Sequence, residues 1–280
     1  MVKRKTKSKR SSKAASKALP KAAFDKYAYY LNAVQTPDTE VRLLRSIYRD
    51  FSSREPLSLR EDFTGTAALC HSWVMLGKEK KAWGVDLDPE PIAYGKKNLL
   101  KDLPEQAQKR VVTIRENVIT GRLPTADIIC ALNFSYFCLR TRRDVLAYFK
   151  RCRRDVKKHG VFIIDVIGGP AYEDVHEEKS RKSGFWYHWN QASFNQITRE
   201  STFHIHFTPF GGRKRNKVFS YEWRMWTLPE LRDILHDAGF KKSVVYWEGF
   251  NRQGLGSGVY RPSEKGDDAT GWVAYIAAIP

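Results

Sequence analysis

Apolar positions along the chain change period several times, and the changes divide it into elements. Residues 24–51 place Phe24, Tyr27, Tyr30 and Leu31, then Val41, Leu44, Ile47, Tyr48 and Phe51, at helical spacing. Pro37 splits this stretch into two helices, with Thr36 or Asp38 as the second cap. Short apolar runs then alternate with amphipathic segments. Strands are predicted over 57–63, 80–86, 110–114, 126–132 and 161–167. Helices are predicted over 66–77, closed by Gly77, over 89–101, opened by Pro89, and over 141–158, closed by Gly160. The run 126–132 is apolar throughout, as a strand covered on both faces is. This alternation predicts a parallel sheet with right-handed crossovers.

Beyond residue 170 the pattern changes. Residues 197–207 and 217–226 alternate with period two, with Phe203, Ile205 and Phe207 on one face and His204 and His206 on the other. Phe210-Gly211-Gly212 supplies the turn of an antiparallel hairpin. Residues 227–239 read as a helix, with Thr227 and Glu230 spaced as a capping box and Gly239 as the stop. Two last strands, 242–248 and 271–279, flank a Gly-rich loop at 249–270. The expected fold is α/β: a doubly wound, mostly parallel seven-strand sheet with a hairpin insertion between strands five and six.

Charge divides the chain differently. Half of the net +18 lies in residues 1–21, which hold nine Lys or Arg and no acid. Such a segment cannot bury apolar surface and is expected to be a disordered tail, serving as a polyanion anchor, a targeting signal or a solubilising appendage. Residues 22–54 form the N-terminal helices, part of the cover over the site, and 55–280 the main domain with a cap at 170–226. Cys70, Cys130, Cys138 and Cys152 have no zinc or C-x-x-C spacing and read as buried thiols of a reducing compartment. No stretch reads as a membrane span or signal-peptide core. The expected location is the cytoplasm, or the nucleus of a eukaryote given the basic N-terminus, and no metal is expected.

The chemistry gathers at two strand ends. A strand, a tight turn and a helix form a nucleotide site, because the carboxyl edge of the sheet opens there and helix N–H groups face the ligand. Gly65 sits in that turn, and Asp86 ends the second strand, where a carboxylate suits the two hydroxyls of a ribose. A dinucleotide fingerprint needs three glycines, whereas Phe63 and Ala67 stand at two of those positions.

These residues resemble the class I S-adenosylmethionine-dependent methyltransferases. Glu61, Gly65 and Ala67 match the acidic position, middle and last glycine of the family's first motif, and Phe63 departs from the first glycine. Gly84-Val85-Asp86-Leu87-Asp88 resembles its ribose-holding segment. Glu116-Asn117-Val118 falls where an Asp or Asn usually meets the adenine amine. Ala131-Leu132-Asn133-Phe134 resembles the fourth motif beside the methyl group. His159-Gly160-Val161-Phe162 and the segment from Glu230-Leu231 to Ala238-Gly239-Phe240 resemble two later ones. The resemblance implies S-adenosylmethionine as cofactor, S-adenosylhomocysteine as product, and Glu61, Phe63, Thr64, Gly65, Thr66, Asp86, Leu87, Asn117, Val118 and Asn133 around the cofactor.

The same resemblance builds the acceptor pocket from 24–37, 133–140 and 170–226, with Tyr27, Tyr30, Phe134, Tyr136, Trp186, Trp189 and Trp223 as candidate contacts. Most of the aromatics in 170–226, Phe185, Trp186, Tyr187, Trp189, Phe219, Tyr221, Trp223 and Trp226 among them, are expected to form a small core under the hairpin, with a few facing the pocket. Tyr136, His188 and His204 are candidates for a proton-transfer role; His206 is a further one, and a histidine in such a place is more often a packed or surface residue. Methyl transfer itself asks mainly for alignment in a water-poor pocket. The acceptor stays open. A small molecule or a protein is favoured over RNA, to which the tail and basic runs at Arg140–Arg143, Lys150–Lys158 and Arg213–Lys217 would be suited. Asn133-Phe134-Ser135-Tyr136 lacks the two prolines of the amino-group nucleic-acid methylases. Two other readings are an RNA-binding protein with a degenerate cofactor site and an NAD(P)-dependent oxidoreductase.

Overall fold

The apolar runs come together edge to edge. The structure, a computed structural model, describes residues 24–250 and 256–280. The expectation of a disordered tail falls on residues outside that range. In chain order the elements are α1 (Lys26–Ala33), α2 (Pro37–Arg49), β1 (Ser58–Asp62), α3 (Ala68–Val74), β2 (Lys81–Asp86), α4 (Pro89–Asn98), the single turn α5 (Glu105–Gln108), β3 (Val111–Arg115), β4 (Ala126–Ala131), α6 (Arg142–Asp155) and β5 (Val156–Gly168). Then follow β6 (His176–Lys182), β7 (Phe185–Phe194), β8 (Glu200–Pro209), β9 (Arg215–Arg224), α7 (Leu228–Asp237), β10 (Lys242–Phe250), β11 (Gly256–Pro262) and β12 (Trp272–Ile279).

The main sheet has the order β11-β10-β12-β5-β4-β1-β2-β3. Strands β1 to β5 pair parallel, and β10, β11 and β12 add antiparallel. The order reverses between β1 and β4, so the crevice for a ligand opens at their carboxyl ends. The sheet has eight strands, not seven: β11 lies within the stretch expected as a Gly-rich loop and pairs antiparallel with β10.

Two further expectations are corrected. Helix α6 stops at Asp155, and Gly160 lies inside β5, where a Cβ would stand 2.6 Å from the Asp127 carbonyl oxygen. That glycine marks a close approach of strands and not a helix stop. The hairpin, β8 and β9, is one half of a four-stranded antiparallel sheet, β6-β7-β8-β9. Its two extra strands were hidden because β6 is largely polar and β7 is bulged between Gln191 and Ser193.

The register gives this second sheet two distinct sides. Tyr187, Phe207, Ile205, Phe219 and Tyr221 share the inner face, against Tyr29 and Tyr30 of α1. Phe203 and Trp223 continue that face into the core of the main domain. His188, His204 and His206 lie on the outer face. As expected, Thr227 and Glu230 close a capping box on α7.

Beneath the main sheet Arg60 is fully buried. It bonds Asp62 at 3.1 Å and Asp155 at 2.7 Å, and the Tyr148 hydroxyl donates to Asp62 at 3.0 Å. Residues 60 and 62 share one face of β1, so Glu61 points to the other. No helix of the described residues is long and apolar enough to cross a membrane.

Candidate cofactor and acceptor site

The turn between β1 and α3 is shaped by three left-handed residues: Phe63 (φ 59°), Gly65 (φ 56°) and Ala67 (φ 58°). Only glycine takes this conformation without cost; each L-residue gives up roughly 1–2 kcal/mol. No atom lies within 4 Å of where a Gly65 Cβ would be, so the backbone is bare on the side a ligand would approach. Phe63 sets its ring edge-on to Tyr148 at 5.6 Å, within the core layer. Thr64 ties the turn down twice, through its N–H to the Val85 carbonyl (2.9 Å) and its hydroxyl to Glu61. A Cβ on Gly84 would stand 2.7 Å from that hydroxyl, which is why β2 carries glycine there.

Asp86 links the turn to the next strand end. Its Oδ2 accepts from Gly65 N–H at 2.7 Å and its Oδ1 from Asp88 N–H at 2.9 Å. A carboxylate has about four lone-pair sites, so two remain for ribose hydroxyls. Burial raises the Asp86 pKa above the usual carboxylate range, opposed by the two N–H groups. Leu87 beside it is an exposed apolar side chain that a ligand ring could cover. Asn117 is exposed and spends its side-chain oxygen on its own turn, accepting from Ile119 (2.8 Å) and Thr120 (3.3 Å), while Val118 is buried.

Asn133 and Phe134, also left-handed, end β4. Their N–H groups both reach Asp165 of β5, at 2.7 and 2.9 Å. Tyr136 is fully buried and donates to the Asp165 carbonyl at 3.1 Å, so it holds the loop from below and does not face the cleft.

Opposite these strand ends stands the inner face of the second sheet together with α1. Tyr27 packs on Tyr94 (4.8 Å between ring centres) and Phe219 (5.9 Å); Tyr30 packs on Phe219 (5.0 Å) and hydrogen-bonds Tyr221. Burial pushes the Tyr30 hydroxyl up to about 12, and the Glu40, Asp165 and Glu61 carboxylates add to the effect. Tyr27 is raised by burial and by Glu90, Asp88 and Asp86. The Tyr94 hydroxyl bonds Asp25 at 2.8 Å, which ties the start of α1 to α4. Glu61 is itself pushed up to about 8, by burial first and then by Glu40. Trp189, Tyr221 and Trp223 complete the wall, and Phe134 meets Trp223 at 6.2 Å.

The remaining candidates lie elsewhere. Trp186 is on the outer face, with Lys179 Nζ 4.4 Å over its ring. His188 is held at both nitrogens by Glu177 (2.8 Å) and Thr208 (3.0 Å). His204 binds Ser220 (2.9 Å), and His206 accepts from Lys217 N–H (2.7 Å). Period two required this: residues alternating with the inner aromatics cannot share their face. Of the cysteines, Cys138 is exposed and the other three are buried. Several cations of the α6 basic run are paired, Arg142 with Asp237, Arg151 and Arg154 with Asp155, and Lys157 with Asp127. Sequence reasoning missed Glu40 and Asp165. An aspartate inside the apolar run of β5 was the available signal for Asp165.

Solved structures match this architecture along nearly its whole length. An amino pentose methyltransferase from Micromonospora echinaspora, CalS10, solved with S-adenosylmethionine bound, aligns with TM-score 0.64 and 16% identity over 94% of this chain and 100% of its own. A S-adenosylmethionine-dependent methyltransferase from Clostridium acetobutylicum aligns with TM-score 0.62 and 15% identity, covering 91% and 98%. The sugar N-methyltransferase KedS8 from a Streptoalloteichus species gives 0.60 and 15%, covering 96% and 98%. No family model and no curated protein sequence matches the chain. The chain has the fold of the S-adenosylmethionine-dependent methyltransferases, with a four-stranded sheet inserted between β5 and α7.

Proposed function

We propose that this protein is an S-adenosylmethionine-dependent methyltransferase acting on a small-molecule acceptor. The observation that carries the reading is the Gly65 N–H to Asp86 bond, which couples a bare turn to a carboxylate at the switch point of a methyltransferase fold. When bound, the cofactor supplies an electrophilic methyl group. Asp86 would take the ribose hydroxyls, Gly65 and Thr66 the methionine end, and Leu87 and Val118 the adenine faces. Glu61 and Glu40, both buried, supply negative charge for the methionine ammonium. Asp165 holds Asn133 and Phe134 in the strained loop that would face the methyl group. The aromatic wall excludes water and sets the line of attack. Small size of the acceptor is supported by the amino pentose and sugar substrates of the structural neighbours. A reducing, cytoplasmic compartment suits the four free thiols.

Calorimetric titration with S-adenosylmethionine tests the reading. Micromolar binding is expected for the native chain. Asp86→Ala should weaken it by roughly a hundredfold, since charge-assisted hydrogen bonds contribute about 1.5–3 kcal/mol each. Absence of binding to the native chain, or native affinity in the variant, would refute it.

A further inference from the structure

The inserted sheet has a basic end. Its turns at 183–184 and 210–214 lie side by side there, because Phe185 pairs with Pro209 and the Phe210 N–H donates to the Gly184 carbonyl at 3.0 Å. No acid occurs in 179–199 or in 201–221, while three Lys or Arg stand at 179–182 and four at 213–217. Lys214 is tied to Glu177 at 3.1 Å. Lys179, Arg181, Arg213, Arg215 and Lys217 are exposed and form no ion pair among the described residues. The chain enters the structure at the same end: the Phe24 ring lies 6.1 Å from that of Phe207 and 5.5 Å from the Arg215 guanidinium. The nine cations of residues 1–21 are therefore joined to the chain here.

Aromatic rings are interleaved with these charges. Arg181 Cζ lies 4.9 Å from the Phe210 ring centre, Phe210 stands edge-on to Trp186 at 6.1 Å, and Lys179 Nζ lies 4.4 Å from the Trp186 ring centre. Phe210 is 43% exposed, so burial explains little of its being aromatic. The register puts Lys179, Arg181 and Trp186 on the outer face, away from the cleft. Cations hold phosphates and ring faces hold bases, so the two interleaved fit a nucleic acid whose bases are bare. An anionic membrane fits less well. Beside Trp186 stand Thr208, His188 and His206, polar groups that lose water on insertion.

We propose that this end of the inserted sheet docks single-stranded RNA, with bases on Trp186 and Phe210 and phosphates on Lys179, Arg181 and the turn 213–217. The RNA is a partner and not the methyl acceptor, because the cleft lies on the other side of the sheet. Its binding is independent of the methyl-transfer reading above. Lys179 and Arg181 cover the ring faces on flexible stems; phosphates draw them off and leave the rings to the bases.

The full chain is titrated into a fluorescein-labelled RNA strand of about 12 nucleotides and followed by anisotropy at several salt concentrations. Micromolar binding is expected, weakening as salt rises. The same strand annealed to its complement hides its bases and should bind about tenfold more weakly, although it carries more charge. Trp186→Leu with Phe210→Leu should weaken single-strand binding by about tenfold or more and leave the salt dependence unchanged. Arg181→Gln with Arg213→Gln should lower the log–log salt slope by about 1.4, or about 0.7 per phosphate. Lys150→Gln with Lys158→Gln, exposed and outside the inserted sheet, should change affinity by less than about twofold. Duplex bound as tightly as single strand, native affinity in the ring variant (the result if residues 1–21 alone hold the RNA), or binding of phosphatidylserine vesicles without binding of RNA overturns the proposal. Single strand and duplex are compared on the native chain, so that result stands even where a variant folds poorly.

Discussion

Helix α4 touches the cofactor turn through bare backbone at Gly95, and Gly95→Ala probes that contact. A Cβ there would stand 2.0 Å from the Thr66 carbonyl oxygen and 2.7 Å from its carbon. Ordinary contact needs about 3.5 Å, so helix or turn must retreat by more than about 1 Å. Two effects oppose each other. Alanine gains about 1 kcal/mol over glycine in a helix interior. Overpacking against a fixed neighbour costs about 1–3 kcal/mol, and because the neighbour here is backbone that cannot rotate away the cost falls at the upper end, about 2–3 kcal/mol. The steric effect wins, leaving a net loss of about 1–2 kcal/mol and a melting temperature lower by roughly 2–8 °C. The displaced Thr66 adjoins Gly65, whose 2.7 Å bond to Asp86 should lengthen. S-adenosylmethionine affinity is therefore expected to fall by about tenfold. The difference between Lys96→Gly and Lys96→Ala, exposed on the same helix, isolates the propensity gain. Thermal unfolding and calorimetry read both numbers. A Gly95→Ala chain that melts no lower than the native one and binds the cofactor with native affinity refutes the reasoning, because the turn would then not depend on where α4 rests.

Glu61 makes both stability and cofactor binding depend on pH. Its folded pKa, about 8, lies above its ordinary 4.5, so folding favours the protonated form. Its stabilising contribution is complete below pH 4.5 and is lost as pH rises toward 8; Glu61→Gln should flatten the melting temperature across that window. A bound ammonium favours ionised Glu61, so S-adenosylmethionine should bind more tightly from pH 6 to 8 with proton release, measurable by calorimetry in two buffers of different ionisation enthalpy. Arg60→Met strips the buried Asp62 and Asp155 of their cation and should cost about 3–5 kcal/mol in denaturant unfolding. His204→Ala, on the outer face, should leave methyl-transfer rates within about twofold of native; a larger loss would return that histidine to the chemistry.

The main sheet was legible because its strands are buried on both faces and its helices carry ordinary punctuation: Pro89 opens α4 and Thr227 caps α7. Asp86 and Gly65 were legible for the same reason, since a strand end followed by a turn fixes where the backbone goes. What escaped the sequence depended on partners far along the chain. Asp165 lies 32 residues from Asn133, and its role arises only because β4 and β5 are neighbours. Tyr30 was legible as a pocket candidate, yet its bond to Tyr221 was not, because the two stand far apart along the chain. Trp186 and Trp189 read alike in sequence, yet an odd separation on one strand sends them to opposite faces. The polar strand β6 carries no apolar alternation at all, so pairing alone reveals it.

The two-sided register of the second sheet also bears on how this protein could be redesigned. Positions 187, 189, 221 and 223 can be rewritten while the outer face, where His188, His204 and His206 hold their own hydrogen bonds, is left as it stands. Lengthening the turn at 210–214 shifts no pair in β8 or β9. One residue inserted near the start of β8 would carry His204 and His206 to the inner face and turn Phe203 and Ile205 to the outer one. The acceptor wall is therefore open to substitution and closed to insertion.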